Sequence, residues 1–112
     1  MPKSHRLHNA KEFSSVIQFR CSESSEFLQI FAKPNDLIYS RLGLIVAGKI
    51  ERLAVKRNRA KRVLRALFRE KQQDLAGLDF VVRLRRPVAR ADSSRLKDEG
   101  KALIIKLQRC CG

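Results

Sequence analysis

From Lys56 to Arg69 the chain carries seven lysines and arginines, and residues 52–69 contain no acid. The same stretch is amphipathic. Ala60, Val63, Leu64, Leu67 and Phe68 recur at helical spacing and can bury one face. Asn58, Lys61, Arg62, Arg65 and Arg69 fall at i, i+3, i+4, i+7 and i+11 and share the other face. Like charges at that spacing repel, each pair costing roughly 0.2–0.5 kcal/mol. The rest of the chain must therefore supply an apolar surface for one face, and a polyanion must neutralise the other.

The whole-chain balance agrees. Lys and Arg number 25 against 11 Asp and Glu, giving +14 over 112 residues and a pI near 10.7. Such charge constrains partners rather than fold. DNA, RNA and an anionic membrane all satisfy it. Membrane fits least, because no apolar run approaches the roughly 20 residues needed to span a bilayer. The opening Met1-Pro2-Lys3-Ser4-His5-Arg6-Leu7-His8 lacks the apolar segment of a signal peptide, so a cytoplasmic protein is expected. Length favours one domain over residues 1–112, with 1–8 as a basic flexible arm. A hydrophobic content of 44% suffices for a compact core. Cys21, Cys110 and Cys111 make an odd count with no CxxC spacing, which argues against a disulfide framework and a zinc site; Cys110 and Cys111 could oxidise on exposure, but reduced thiols are expected there. His5 and His8 read as solvated side chains of the arm.

Asn9 with Glu12 three residues later forms a capping-box pair for a first helix, whose Phe13, Val16 and Ile17 keep i, i+3, i+4 spacing. Cys21–Ser25 reads as a polar break. Phe27–Lys33 reads as a strand with the alternating set Phe27, Gln29, Phe31 and Lys33, and Pro34-Asn35-Asp36 as a turn. Tyr39–Ala47 reads as a second strand, with Gly48 at its end. The basic helix follows Glu51–Leu53 and stops near Gln72–Gly77. Leu78–Leu84 is a third strand, broken by Pro87. A final helix begins at Asp92 or Ser93 and runs to about Arg109, burying Leu96, Leu103, Ile104 and Leu107. Gly100 costs that helix up to about 1 kcal/mol relative to Ala. The order α-β-β-α-β-α, with one more strand if Tyr39–Ala47 is divided differently, makes an α+β sandwich: a small sheet packed by helices.

Arg41-Leu42-Gly43-Leu44-Ile45-Val46, then Lys49, then the run from Ala54 to Arg65 with its Arg57-Asn58-Arg59, Lys61-Arg62 and Arg65, resembles the signature of the bacterial ribonuclease P protein subunit. Arg6-Leu7 followed by Phe13-Ser14-Ser15-Val16 is similar to that family's opening. Asp79-Phe80-Val81-Val82 with Arg85-Arg86-Pro87 is similar to its later strand. The resemblance covers most of Arg6–Pro87. The chain departs from it at Ile17, where the family often has an aromatic, and at Gly48-Lys49, where two adjacent lysines are common.

The resemblance implies a left-handed βαβ crossover carrying the basic helix, an exception to the right-handed rule. It implies the protein partner of a catalytic RNA, the two together hydrolysing one phosphodiester bond of precursor tRNA to release the 5′ leader. Chemistry would belong to the RNA and its Mg²⁺, not to a protein metal site. The chain's lack of a carboxylate cluster for two-metal hydrolysis accords with that. By this resemblance Arg57, Asn58, Arg59, Lys61, Arg62 and Arg65 contact RNA, and guanidinium groups suit bidentate phosphate contact. Arg69, Lys49, Arg85, Arg86 and Arg6 are further candidates by charge and position. Arg57 lies toward the apolar border of the helix, which gives it a partly structural role. Phe13, Ile17 and Phe31 are the candidates for a leader cleft, since single-stranded RNA is held by aromatic platforms beside cationic grooves. Expected partners are thus the catalytic RNA and precursor tRNA, with neither DNA nor membrane. The alternative is a non-enzymatic basic module such as a ribosomal protein.

Overall fold

The computed structural model describes residues 5–111, with Cys110 and Cys111 as backbone only. Helix α1 spans Ala10–Gln18, and strands β1, β2 and β3 span Cys21–Ser24, Leu28–Pro34 and Arg41–Ile45. Helix α2 spans Ala54–Lys71, strand β4 Leu78–Leu84, and helix α3 Ser93–Cys111 after a 3-10 turn at Arg90–Asp92. The capping box forms as its spacing predicts. Asn9 Oδ1 accepts from the Glu12 backbone N–H at 2.9 Å, and Glu12 Oε1 accepts from Asn9 N–H at 3.3 Å. Such a cap contributes about 1 kcal/mol.

The strands order as β1-β2-β4-β3. β2 pairs antiparallel with β1 and β4, and β3 lies parallel to β4, so β3-α2-β4 is a βαβ unit that carries the basic helix. Both faces of the central strands are covered. Leu28, Ile30 and Ala32 of β2, with Phe80, Val82 and Leu84 of β4, join one core with the buried faces of α2 and α3. Phe31 and Val81, one residue out of step, join Leu7 and Val16 in a second cluster under α1. This two-sided burial explains the nearly unbroken apolar run of β4.

Four readings change. The polar segment from Cys21 is a strand, not a break. Its pairing with β2, Cys21 opposite Ala32 and Ser24 opposite Gln29, makes it the sheet's short edge. The additional strand therefore lies here, while the segment from Tyr39 shortens to Arg41–Ile45. Phe27 leaves the alternating set. It precedes β2, its carbonyl accepts the Arg85 N–H at 2.7 Å, and its ring enters the large core on the opposite side from Phe31. The chain is anchored from His5 onward rather than forming a loose arm through residue 8. Arg6 bridges to Leu42, the Leu7 N–H donates to the Leu42 carbonyl at 3.0 Å, and His5 stacks on Tyr39. Residues 1–4 of the expected arm lie outside the described residues. Finally, Cys21 is buried and disulfide-bonded, although the odd cysteine count argued against a disulfide framework.

Gly100 has a packing reason. A Cβ there would lie 2.5 Å from Leu67 Cδ2, so glycine is what lets α3 approach α2 this closely.

Candidate nucleic-acid interface

α2 divides as its periodicity predicts. Ala60, Leu64, Leu67 and Phe68 are buried, and Phe68 meets Phe80 edge-to-face at 5.3 Å. That burial fixes the helix rotation and turns the cations outward. Asn58, Arg62 and Arg69 are exposed, while Arg59, Lys61 and Arg65 lie half-buried along the flanks. Among the described residues none of Arg59, Lys61, Arg62, Arg65 and Arg69 forms an ion pair. The face is an unneutralised cationic surface. Arg57 is different. Its Nη1 donates to the carbonyls of Glu51 at 3.0 Å and Arg52 at 2.9 Å, tying the incoming loop to the helix. Its structural role is thus visible.

The α2 face opens onto a small groove of about 150 Å³, lined by Arg6, Phe13, Leu42, Gly43, Lys61 and Arg65 among others. Four separate segments meet here: the N-terminal residues, α1, β3 and α2. Phe13 is half-buried and its ring lies flat against Gly43, where a Cβ would stand 2.6 Å from Cε2 and Cζ. Ile17 packs half-buried on the second cluster. Phe31 is inside that cluster at 8% exposure, and the guanidinium of Arg83 covers its ring at 6.0 Å from the centroid.

A second recess, about 430 Å³, lies at the C-terminal ends of the parallel pair β3 and β4. Lys49, Arg83 and Arg85 line it with Ile45, Ala47, Ile50 and Leu84. The structure thus brings Lys49 and Arg85 together and adds Arg83, which no motif in the sequence singles out. Arg85 also donates to the Ser25 carbonyl. Arg86 is set apart, pairing with Glu26 at 3.1 Å.

One polar network fixes α1 over the sheet. Arg41 on β3 stands directly beside Asp79 on β4 and grips it through two bonds, Nε to Oδ1 at 2.8 Å and Nη2 to Oδ2 at 2.6 Å. Its Nη1 reaches Glu12 of α1 at 2.9 Å, and Asn35 Nδ2 donates to Asp79 Oδ1 at 2.8 Å. Asp79 is 4% exposed, so this pairing is what makes its burial tolerable. The bond to Asp79 raises the Arg41 pKa further. The His8 backbone N–H, then that of Asn9 and the charge of Arg41, hold the Glu12 carboxyl below its ordinary value against its own desolvation. Nothing in the separate segments linked these residues; only the register of β3 on β4 does. Glu12 and Asp79 are thus both engaged by the one guanidinium of Arg41. Among the described residues no group of three or more His, Cys, Asp or Glu side chains is placed to hold a metal ion. Nor is any helix among them long and apolar enough to cross a membrane.

The family model Ribonuclease P matches residues 1–108. The ribonuclease P protein component of Nitrosomonas europaea is 44% identical over 109 residues, covering 97% of this chain and 92% of that protein. The corresponding protein of Chromobacterium violaceum is 43% identical over 96% of this chain and 89% of its own length. Among solved structures, the RNase P protein of Thermotoga maritima superposes with a TM-score of 0.71 at 27% identity, over 96% of this chain and 98% of that one. The Staphylococcus aureus RNase P protein reaches a TM-score of 0.82 over 93% and 95%, and at 20% identity it speaks for the fold alone.

Proposed function

Because this chain belongs to the ribonuclease P protein family, and is thus a subunit of that endoribonuclease working with the ribonuclease P RNA, we propose how its surface is shared between RNAs. Family membership sets aside the reading as a ribosomal-type basic module. The outer face of α2, with Asn58, Arg59, Arg62 and Arg69, binds the catalytic RNA. The groove where Lys61 and Arg65 meet Phe13 admits the single-stranded 5′ leader of precursor tRNA, which continues toward Lys49 and Arg85. One observation carries this reading: an unneutralised cationic helix face that opens onto an aromatic groove. Counterion release at the helix gives affinity, and apolar and stacking contact in the groove separates precursor from mature tRNA.

In this reading the reaction's Mg²⁺ would be bound mainly by the RNA subunit and the substrate phosphates and would supply Lewis-acid chemistry there, with no protein metal site. The protein's residues screen phosphates and hold the leader in register. The protein by itself leaves precursor tRNA intact, and its work is cytoplasmic.

The test adds the purified chain to a bacterial ribonuclease P RNA and precursor tRNA at low Mg²⁺. Stimulated 5′ cleavage, with none by protein alone, is expected. Cleavage by RNA-free protein, co-eluting with it on a sizing column, would overturn the assignment of chemistry to RNA.

A further inference from the structure

Arg83 occupies a position where an arginine has no packing reason to be. It lies on the central strand β4, flanked in register by Gln29 of β2 and Ile45 of β3, so its backbone is held from both sides. It points to the α1 face, the same side as Val81, but it is exposed. Its guanidinium is nonetheless fixed. The guanidinium carbon stands 6.0 Å from the Phe31 ring centroid, and Nη2 donates to Gln29 Oε1. Like the α2 arginines and unlike Arg41, Arg86 and Arg95, Arg83 pairs with no carboxylate among the described residues.

We propose that Arg83 is a specificity-determining residue of the leader path, its guanidinium laid over Phe31 being the planar cationic surface on which one base of the single-stranded RNA stacks. Phe31 is only 8% exposed, so an incoming base meets the guanidinium before the ring. A guanidinium plane stacks on bases as an aromatic does, and the Phe31 ring beneath it lies within cation–π reach. The Gln29 bond removes rotation about the last torsions, so little freedom remains to be lost on binding. The surroundings suit a nucleotide. Lys49 and Arg85 share the same recess and can take the phosphates on either side of a stacked base. Arg83 thus joins the Phe13 groove to the Lys49 and Arg85 recess.

This inference rests on the reading that the leader crosses this face, and the experiment separates the two. Holoenzyme is reconstituted with the native chain or with Arg83→Lys, which keeps the charge and loses the plane. Affinity is measured for mature tRNA, for precursor tRNA, and for precursors carrying one abasic nucleotide at each leader position in turn. The native holoenzyme should prefer precursor and lose roughly fivefold or more at one abasic position, the cost of one lost stack. Arg83→Lys should bind intact precursor about as weakly as the native enzyme binds that abasic precursor, and be indifferent to the substitution. Gln29→Ala, which frees the guanidinium, should fall between them. Arg83→Lys retaining the native pattern of abasic sensitivity, with or without a fall in melting temperature, overturns the stacking role. So does a native enzyme that prefers precursor yet is insensitive at every leader position. No preference for precursor over mature tRNA in the native enzyme overturns instead the leader reading beneath it.

Discussion

Replacing Gly43 with Ala probes the groove without deleting any candidate RNA contact. The new Cβ would lie 2.6 Å from Cε2 and Cζ of Phe13 and 3.2 Å from Leu7 Cδ1. Carbon atoms settle at about 3.5–4.0 Å, so the ring must retreat by roughly 1 Å. α1 does not lift easily, because Arg41 ties Glu12 to Asp79 and Lys33 donates to Ser15. The ring itself therefore moves toward solvent. Overpacking of this kind costs about 1–3 kcal/mol, and a half-buried ring places it near the low end. Ala in place of Gly in a strand returns about 0.5–1 kcal/mol of backbone entropy. The net loss is then at most about 0.5 kcal/mol, a fall of no more than roughly 2–4 °C in melting temperature for a small domain. Precursor and mature tRNA affinities are measured on the same variant holoenzyme. The precursor-over-mature ratio should drop by about fivefold, as expected for one disturbed stack. Affinity for the catalytic RNA should hold, because the exposed arginines of α2 are untouched. A native ratio, whatever the melting temperature, would falsify the reasoning, since Phe13 would then be core alone.

Replacing Arg62 or Arg65 with Ala should weaken RNA binding and flatten the slope of log affinity against log salt by about 0.7–0.9 per lost phosphate contact, with native circular dichroism. Unchanged slopes for both variants would mean that the face is merely solvated. Acid should loosen α1 before the large core. The folded-state pKa of Glu12 is lowered, so its contribution is present above the ordinary carboxylate value and is lost as pH falls through the lowered one. Hydrogen exchange of the α1 amides should accelerate over that acid window in the native chain, and Glu12→Gln should remove the pH dependence. Identical profiles for the two proteins would dismiss the cap-and-network account.

What the sequence disclosed was local and periodic. The Asn9–Glu12 box is a four-residue pattern, and the apolar set of α2 repeats with the helix, so both were legible. β1 was not. Its Cys-Ser-Glu-Ser carries no strand signal of its own, and only pairing with β2 makes it one. Phe27 misled because alternation was extended one residue beyond the strand's start. The RNA partner came from the ordered match of Arg57-Asn58-Arg59, Lys61-Arg62 and Arg65 to a known family. Net charge alone had left DNA and membrane open.

Arg83 and Arg41 show why the rest stayed hidden. Both are arginines in strands, and by composition both are simply solvated cations. Sheet register separates them. Arg41 faces Asp79 across the parallel pair, so its charge is spent within the fold on anchoring α1. Arg83 faces Gln29 across the antiparallel pair, with no carboxylate in reach among the described residues, so its charge stays available while its plane is held over Phe31. The same division runs through the other basic residues. Arg86 and Arg95 meet at Glu26, and Lys97 meets Glu70, on the side of the fold that bears α3. Among the described residues the cations of α2 form no ion pair. A chain with 25 basic and 11 acidic residues cannot neutralise itself. Placing the acids against one set of cations leaves the other set bare, and that bare set adjoins the groove that holds Phe13.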